Sequence, residues 1–238
     1  MAVTDIANLY RRGAAASLVS SNSLQSYLKF ENDINDEFGD AWTDNGGITW
    51  NVGKIGQALQ TTREDNSDPC NPIPAKYISH ADNTRFNLTT NFTISVWVYN
   101  ADTSYDSWIF SKTTDAVADG FYLVQLGGSH FRANVGNVIA FEVGATTFGN
   151  TTNETWCHVV MQLSGTNLRI KVNNGAWDTT ALASCATSSA GINIGASYAA
   201  DAALTGYIDG ASFWKRVLTD DEITQLYNAG NKARPQLP

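Results

Sequence analysis

From Tyr27 onward, short runs in which apolar and polar residues alternate are separated by clusters of Gly, Asn, Asp, Ser and Thr. Alternation at period two puts every second side chain on one face of a strand. Eleven runs are predicted as strands: 26–30, 76–80, 92–100, 107–112, 120–127, 129–136, 137–144, 155–164, 167–174, 191–196 and 206–216. No helical run intervenes among them, so the fold class is all-β, with two packed antiparallel sheets.

Two of these runs predict a hairpin. In "TWCHVVMQLSGTNLRIKV", Cys157, Val159, Met161 and Leu163 share a face with Leu168, Ile170 and Val172 across a turn at Ser164-Gly165-Thr166. His158, Gln162, Arg169 and Lys171 then fall on the opposite face, expected to be solvated or to lie between sheets. In 206–216 strict alternation puts Tyr207, Asp209, Ala211 and Phe213 on one face, and Ile208, Gly210, Ser212 and Trp214 on the other. A helix of about ten residues follows: Thr219 and Glu222 form an S/T-x-x-E capping box, and Ile223, Leu226 and Tyr227 make an apolar stripe. Gly230 is placed to end that helix in a left-handed conformation.

Residues 1–25 read as a separate arm, either a short helix capped by Thr4 or Asp5 or a disordered leader; residues 26–238 read as one domain. Arg11-Arg12 precede a stretch too short and too polar for an export signal. No run is long and apolar enough to span a membrane.

Charged residues make up only 16% of the 238 positions and the net charge is −8, which argues against a nucleic-acid partner and favours cations. Cys70, Cys157 and Cys185 form no CxxC, and an odd number cannot all pair, so disulfide use stays open.

"GYIDGASFWKRVLTDDEITQLYNAG" (206–230) resembles the C-terminal signature of the laminin-G-like, concanavalin A-like lectin/glucanase family. "YISHADNTRFNLTTNFTISVWVY" and "WCHVVMQLSGTNLRIKVNNG" resemble two upstream blocks of that family, in its order. The resemblance implies a two-sheet jelly-roll sandwich with Trp97, Trp156 and Trp214 at core positions. One departure is Gly210, where the family commonly carries a second acidic residue after the Asp.

The resemblance also implies a structural calcium near Asp209. The segment "ENDINDEFGD" supplies hard oxygen donors, so the expected ligands are Asp209 with Glu31, Asp33 and Asp36. The alternative is a solvated acidic loop and an Asp bonded to backbone. No E-x-D-x-x-E cluster of the related glucanases is present, His80, His130 and His158 lie near no G-x-S-x-G, and Cys157 alternates with core residues; the chain is therefore read as non-enzymatic. For glycan binding, Trp177, Trp42 and Trp50 are the loop aromatics expected to stack on sugars.

A chain that begins at Met, carries an arm rather than an export signal and continues as one lectin-like sandwich fits a bacteriophage virion component, a decoration, fibre or tail protein. Its expected partners are other virion subunits through residues 1–25, cell-surface glycans and further copies of itself. The alternative is a secreted or cell-surface lectin or adhesin module.

Overall fold

The computed structural model describes Val19 and residues 22–65, 67, 70, 72–114, 119–127, 130–136, 141–142, 154–181 and 186–232. In chain order these form β1 (Leu24–Leu28), β2 (Thr43–Asn45), β3 (Thr49–Val52), β4 (Gln57–Thr61), β5 (Tyr77–His80), a 3-10 turn (Thr84–Phe86), β6 (Phe92–Asn100), β7 (Ser107–Lys112), β8 (Phe121–Leu126), β9 (His130–Val135), β10 (Phe141–Glu142), β11 (Trp156–Ser164), β12 (Asn167–Val172), β13 (Asp178–Ala181), β14 (Ile192–Ile194), β15 (Gly206–Trp214) and the helix α1 (Asp220–Lys232). Each predicted run has a counterpart; of the run at 137–144 only β10 lies within the described residues. β2, β3, β4 and β13 are additional, and their sequences (TDN, TWNV, QALQT, DTTA) carry little apolar alternation.

The strands form two antiparallel sheets. The first runs β13-β12-β11-β6-β15-β4-β3, with β1 also on β15; the second runs β10-β9-β8-β7-β14-β5-β2. Phe92, Ile94, Val96 and Val98 of β6 face inward with Cys157, Val159, Met161 and Leu163 of β11, and meet Phe110, Phe121, Leu123 and Phe131 of the second sheet in one core.

β15 is where the first sheet is joined. One of its edges pairs with β6 through residues 206–209 and 212–214; along the other, β4 pairs with residues 206–208 and β1 with residues 211–214. Between the two partners the strand bulges, with a register shift between Asp209 and Ser212 and a φ of +58° at Gly210. The extra residue reverses the alternation. Tyr207 and Asp209 share a face as predicted, here the outer one, whereas Ala211 and Phe213, predicted to lie on that same face, turn inward with Ile208. Gly210 departs from the family pattern at the residue that adopts the left-handed conformation, which glycine takes without a Cβ penalty.

A second apolar layer lies outside the first sheet, where α1 packs. Ile223 and Leu226 join Leu218, Trp214, Val160, Tyr27, Leu24 and Val19. Burying Ile223 and Leu226 stabilises by ~1.5–3 kcal/mol each. The predicted capping box is present: the Thr219 N–H donates to Glu222 Oε2 at 2.9 Å and the Glu222 N–H to Thr219 Oγ1 at 3.3 Å. Gly230 lies within α1 instead of ending it; a Cβ there would overlap the indole of Trp97, so glycine is required by close packing. The outer face of the β11–β12 hairpin is consequently covered, not solvated: His158 and Gln162 are fully buried and Lys171 nearly so. Gln162 donates to Thr93 Oγ1 at 2.9 Å and Leu218 O at 3.0 Å, and Lys171 reaches Asp220 at 3.1 Å.

Residues 1–18, most of the predicted arm, lie outside the described residues. Its described part is built into the domain, since Val19 and Leu24 are buried against Trp214 and Leu218, and Leu24 pairs with Trp214.

Candidate functional site

Asp209 projects from the bulge of β15 toward the β3–β4 connection. Its carboxylate accepts the Ile55 N–H at 2.7 Å and is also bonded by the N–H groups of Lys54 and Gly210. Glu31 reaches the same connection and accepts the Gln57 N–H at 3.2 Å. Gly53 and Gly56 admit the two acids, because a Cβ at either would meet Asp209 or Glu31. Burial, with the charge of Glu31 in support, pushes the Asp209 pKa well up against the backbone donors.

The other two acids of the expected calcium set are engaged elsewhere. Asp36 accepts from Ser26 and from the Phe38 N–H at 2.6 Å and faces Arg85, its pKa raised by burial; Asp33 accepts the Asn35 N–H at 2.9 Å. Among the described residues no three His, Cys, Asp or Glu side chains converge on one point. The donors that do approach each other, Asp209 and Glu31, are of the hard oxygen type that suits calcium.

His158 and Cys157 are poorly placed for chemistry. His158 is buried, bonds Ser95 Oγ through Nε2 at 2.8 Å, and its pKa falls to about 3 through desolvation and the charge of Lys54. Burial raises the Cys157 thiol, disfavouring the thiolate. Cys70 is exposed, and Cys185 lies outside the described residues.

The three expected loop tryptophans do not converge. Trp42 is buried against His80 and Phe86. Trp50 lies in β3 and packs partly buried on the main core. Trp177 packs against the α1 layer, donates its N–H to Asp220 at 2.7 Å, and carries Arg169 and Lys171 over its ring at 4.3 and 4.9 Å.

An aromatic surface is assembled instead on the outer face of the first sheet. Trp156 of β11 lies opposite Tyr99 of β6, and Tyr99 opposite Tyr207 of β15. The row continues through Gln60 of β4 to Thr49 of β3. The ring centroids stand 5.6 Å apart for Trp156–Tyr99, 5.3 Å for Tyr99–Tyr207 and 6.4 Å for Trp156–Tyr207, so the three form one compact triangle. All three are partly exposed. This corrects the expectation for Trp156; Trp97 and Trp214 are buried, as expected. Trp97, two residues before Tyr99, stacks on Tyr227 of α1 at 5.7 Å, so the helix covers the neighbouring row and the triangle borders it.

Polar groups flank the rings. Asn51 Nδ2 donates to the Tyr207 hydroxyl at 3.0 Å, Thr49 donates to Gln60 at 2.9 Å, and exposed Glu154 follows Asn100 spatially through an N–H to C=O bond of 3.1 Å. Desolvation, then the charge of Glu154 and the neighbouring Tyr207, raises the Tyr99 pKa. Aromatic faces for C–H surfaces beside amide and hydroxyl groups are the elements of a sugar-binding surface.

Residues 75–224 match the model of the concanavalin A-like lectin/glucanases superfamily. The chain belongs to this superfamily. Among solved structures, this superfamily member is similar to domain 4 of AbnA, a GH43 extracellular arabinanase from Geobacillus stearothermophilus, solved in complex with arabinotriose (17% identity, TM-score 0.66, 86% of this chain and 98% of that one). It is also similar to the binding domain of botulinum neurotoxin DC in complex with rat synaptotagmin II (14%, 0.63, 87% and 52%) and to that of Paraclostridial Mosquitocidal Protein 1 (15%, 0.63, 87% and 52%). The chain thus spans about half the length of these toxin domains. At such identities the likeness is one of fold. No curated protein sequence matches.

Proposed function

We propose that this domain is a non-catalytic glycan-binding module whose contact surface is the row Trp156, Tyr99 and Tyr207 with Asn51 and Gln60 beside it. The observation that carries the reading is the register: three strands place three partly exposed rings side by side on an outer face, where a core would not use them. The fold supports it. One similar structure holds arabinotriose, and another, titled for the entry of botulinum neurotoxin type C, names two ganglioside molecules (12% identity, TM-score 0.62, 86% and 50% coverage). Binding of the purified chain to an immobilised glycan panel tests it: Trp156→Ala and Tyr207→Ala reduce binding at least about tenfold, the effect of losing a stacked ring. Variants that bind like the parent would remove the reading.

Calcium is the cofactor that the donor chemistry of Asp209 and Glu31 suits, with a structural role: it would offset two like charges beside the 53–57 segment.

A further inference from the structure

The aromatic triangle is small and its border is acidic. Its three centroids lie within 6.4 Å of one another, an area matching one sugar ring, whereas gripping successive sugars of a chain takes rings set further apart. Asn51, Gln60 and Thr49 on one side are uncharged. Glu154 stands on the other side, its N–H held by Asn100 immediately after Tyr99 and its charge felt at the Tyr99 hydroxyl. Lys54 lies over Trp97 at 4.6 Å, in the neighbouring row. A ligand carboxylate at the triangle therefore meets a like charge, while a sugar's hydroxyls meet amides and hydroxyls that can donate and accept.

We propose that the site takes a single uncharged sugar unit, such as the terminal hexose or pentose of a glycan, and discriminates against acidic sugars through Glu154. This rests on the glycan-binding reading and deepens it by naming the ligand class. Selectivity here works by repulsion as much as by contact.

The test titrates the purified chain with methyl glycosides of glucose, galactose and arabinose, with the uronic-acid counterparts of the two hexosides, and with neutral oligosaccharides of one to six units, following the tryptophan indole resonances. Neutral glycosides are expected to bind, each uronide at least about tenfold more weakly at low salt, and lengthening the chain beyond one unit to change affinity less than about threefold. Glu154→Gln is expected to bring the uronides within about threefold of the neutral sugars. Uronides that bind as well as their neutral partners, an unaltered preference in Glu154→Gln, or affinity that climbs steadily with chain length would each overturn the proposal while leaving glycan binding intact. Silence toward every saccharide would overturn both.

Discussion

Asp209 holds Ile55 from the far end of the chain: its carboxylate accepts the Ile55 N–H at 2.7 Å across 154 positions. The bond sits where β15 passes from one partner strand to another, so the acid satisfies amides of the 53–57 segment that lie beside the break. Replacing it by alanine leaves several donors unsatisfied in a buried place, at about 1–3 kcal/mol each. Asp209→Ala should lose at least ~3 kcal/mol in urea denaturation. If Asp209 and Glu31 hold calcium, added calcium raises the melting temperature of the parent and EDTA reverses it, with neither effect in Asp209→Asn; a parent indifferent to both would exclude a stabilising ion.

Gly210 carries a φ of +58° in the same bulge. Gly210→Ala should cost about 1–2 kcal/mol, the strain of an L residue held in the left-handed region. An acidic residue there, as the family commonly has, should cost at least as much in this chain. Equilibrium unfolding measures both, and a cost near zero would show that the bulge relaxes.

His158 supplies a pH dependence of definite sign. Its folded pKa, about 3, lies below the ordinary 6.5, so the unfolded chain binds the proton more readily. Stability contributed by neutral His158 is present above pH 6.5 and falls as pH drops toward 3, by about 1.4 kcal/mol per pH unit. Between pH 6.5 and 5, His158→Gln should lack that slope relative to the parent, since the buried carboxyls of Asp209 and Asp36, raised in both chains, cancel in the comparison. Matching slopes in parent and variant would refute the assignment.

Trp177 should prove structural. Trp177→Ala loses the N–H bond to Asp220 and the stacking of Arg169, about 1–2 kcal/mol together. Thermal unfolding should shift down while glycan binding stays at the parent level; the reverse pattern would return Trp177 to the site.

Much of the fold could be read from periodicity, because inward residues of β6, β11 and β12 alternate without interruption. The capped helix was equally legible in Thr219, Glu222 and the Ile223/Leu226/Tyr227 stripe. β2, β3 and β4 escaped because they are short and poor in apolar alternation. The cover over the outer face of β11–β12 is not legible in the alternation, because it comes from the docking of α1 over His158 and Gln162. The aromatic triangle was out of reach. Tyr99, Trp156 and Tyr207 belong to three separate runs, and only the register of β11 on β6 and of β6 on β15 sets them side by side. The signal available was an outward aromatic near the C-terminal end of β6 and near the N-terminal ends of β11 and β15, usable only once the antiparallel strand order was known.

The shared edge of β15 also governs how the chain can be assembled. Among the described residues, β1 finds its partner strand in residues 211–214, and β4 pairs with 206–208. Until β15 is made, no other described strand bridges these early pieces to β6. A nascent or C-terminally truncated chain therefore presents open strand edges to its neighbours, and closure of the sheet depends on contacts of very long loop length, a topology that favours slow folding and pairing between chains.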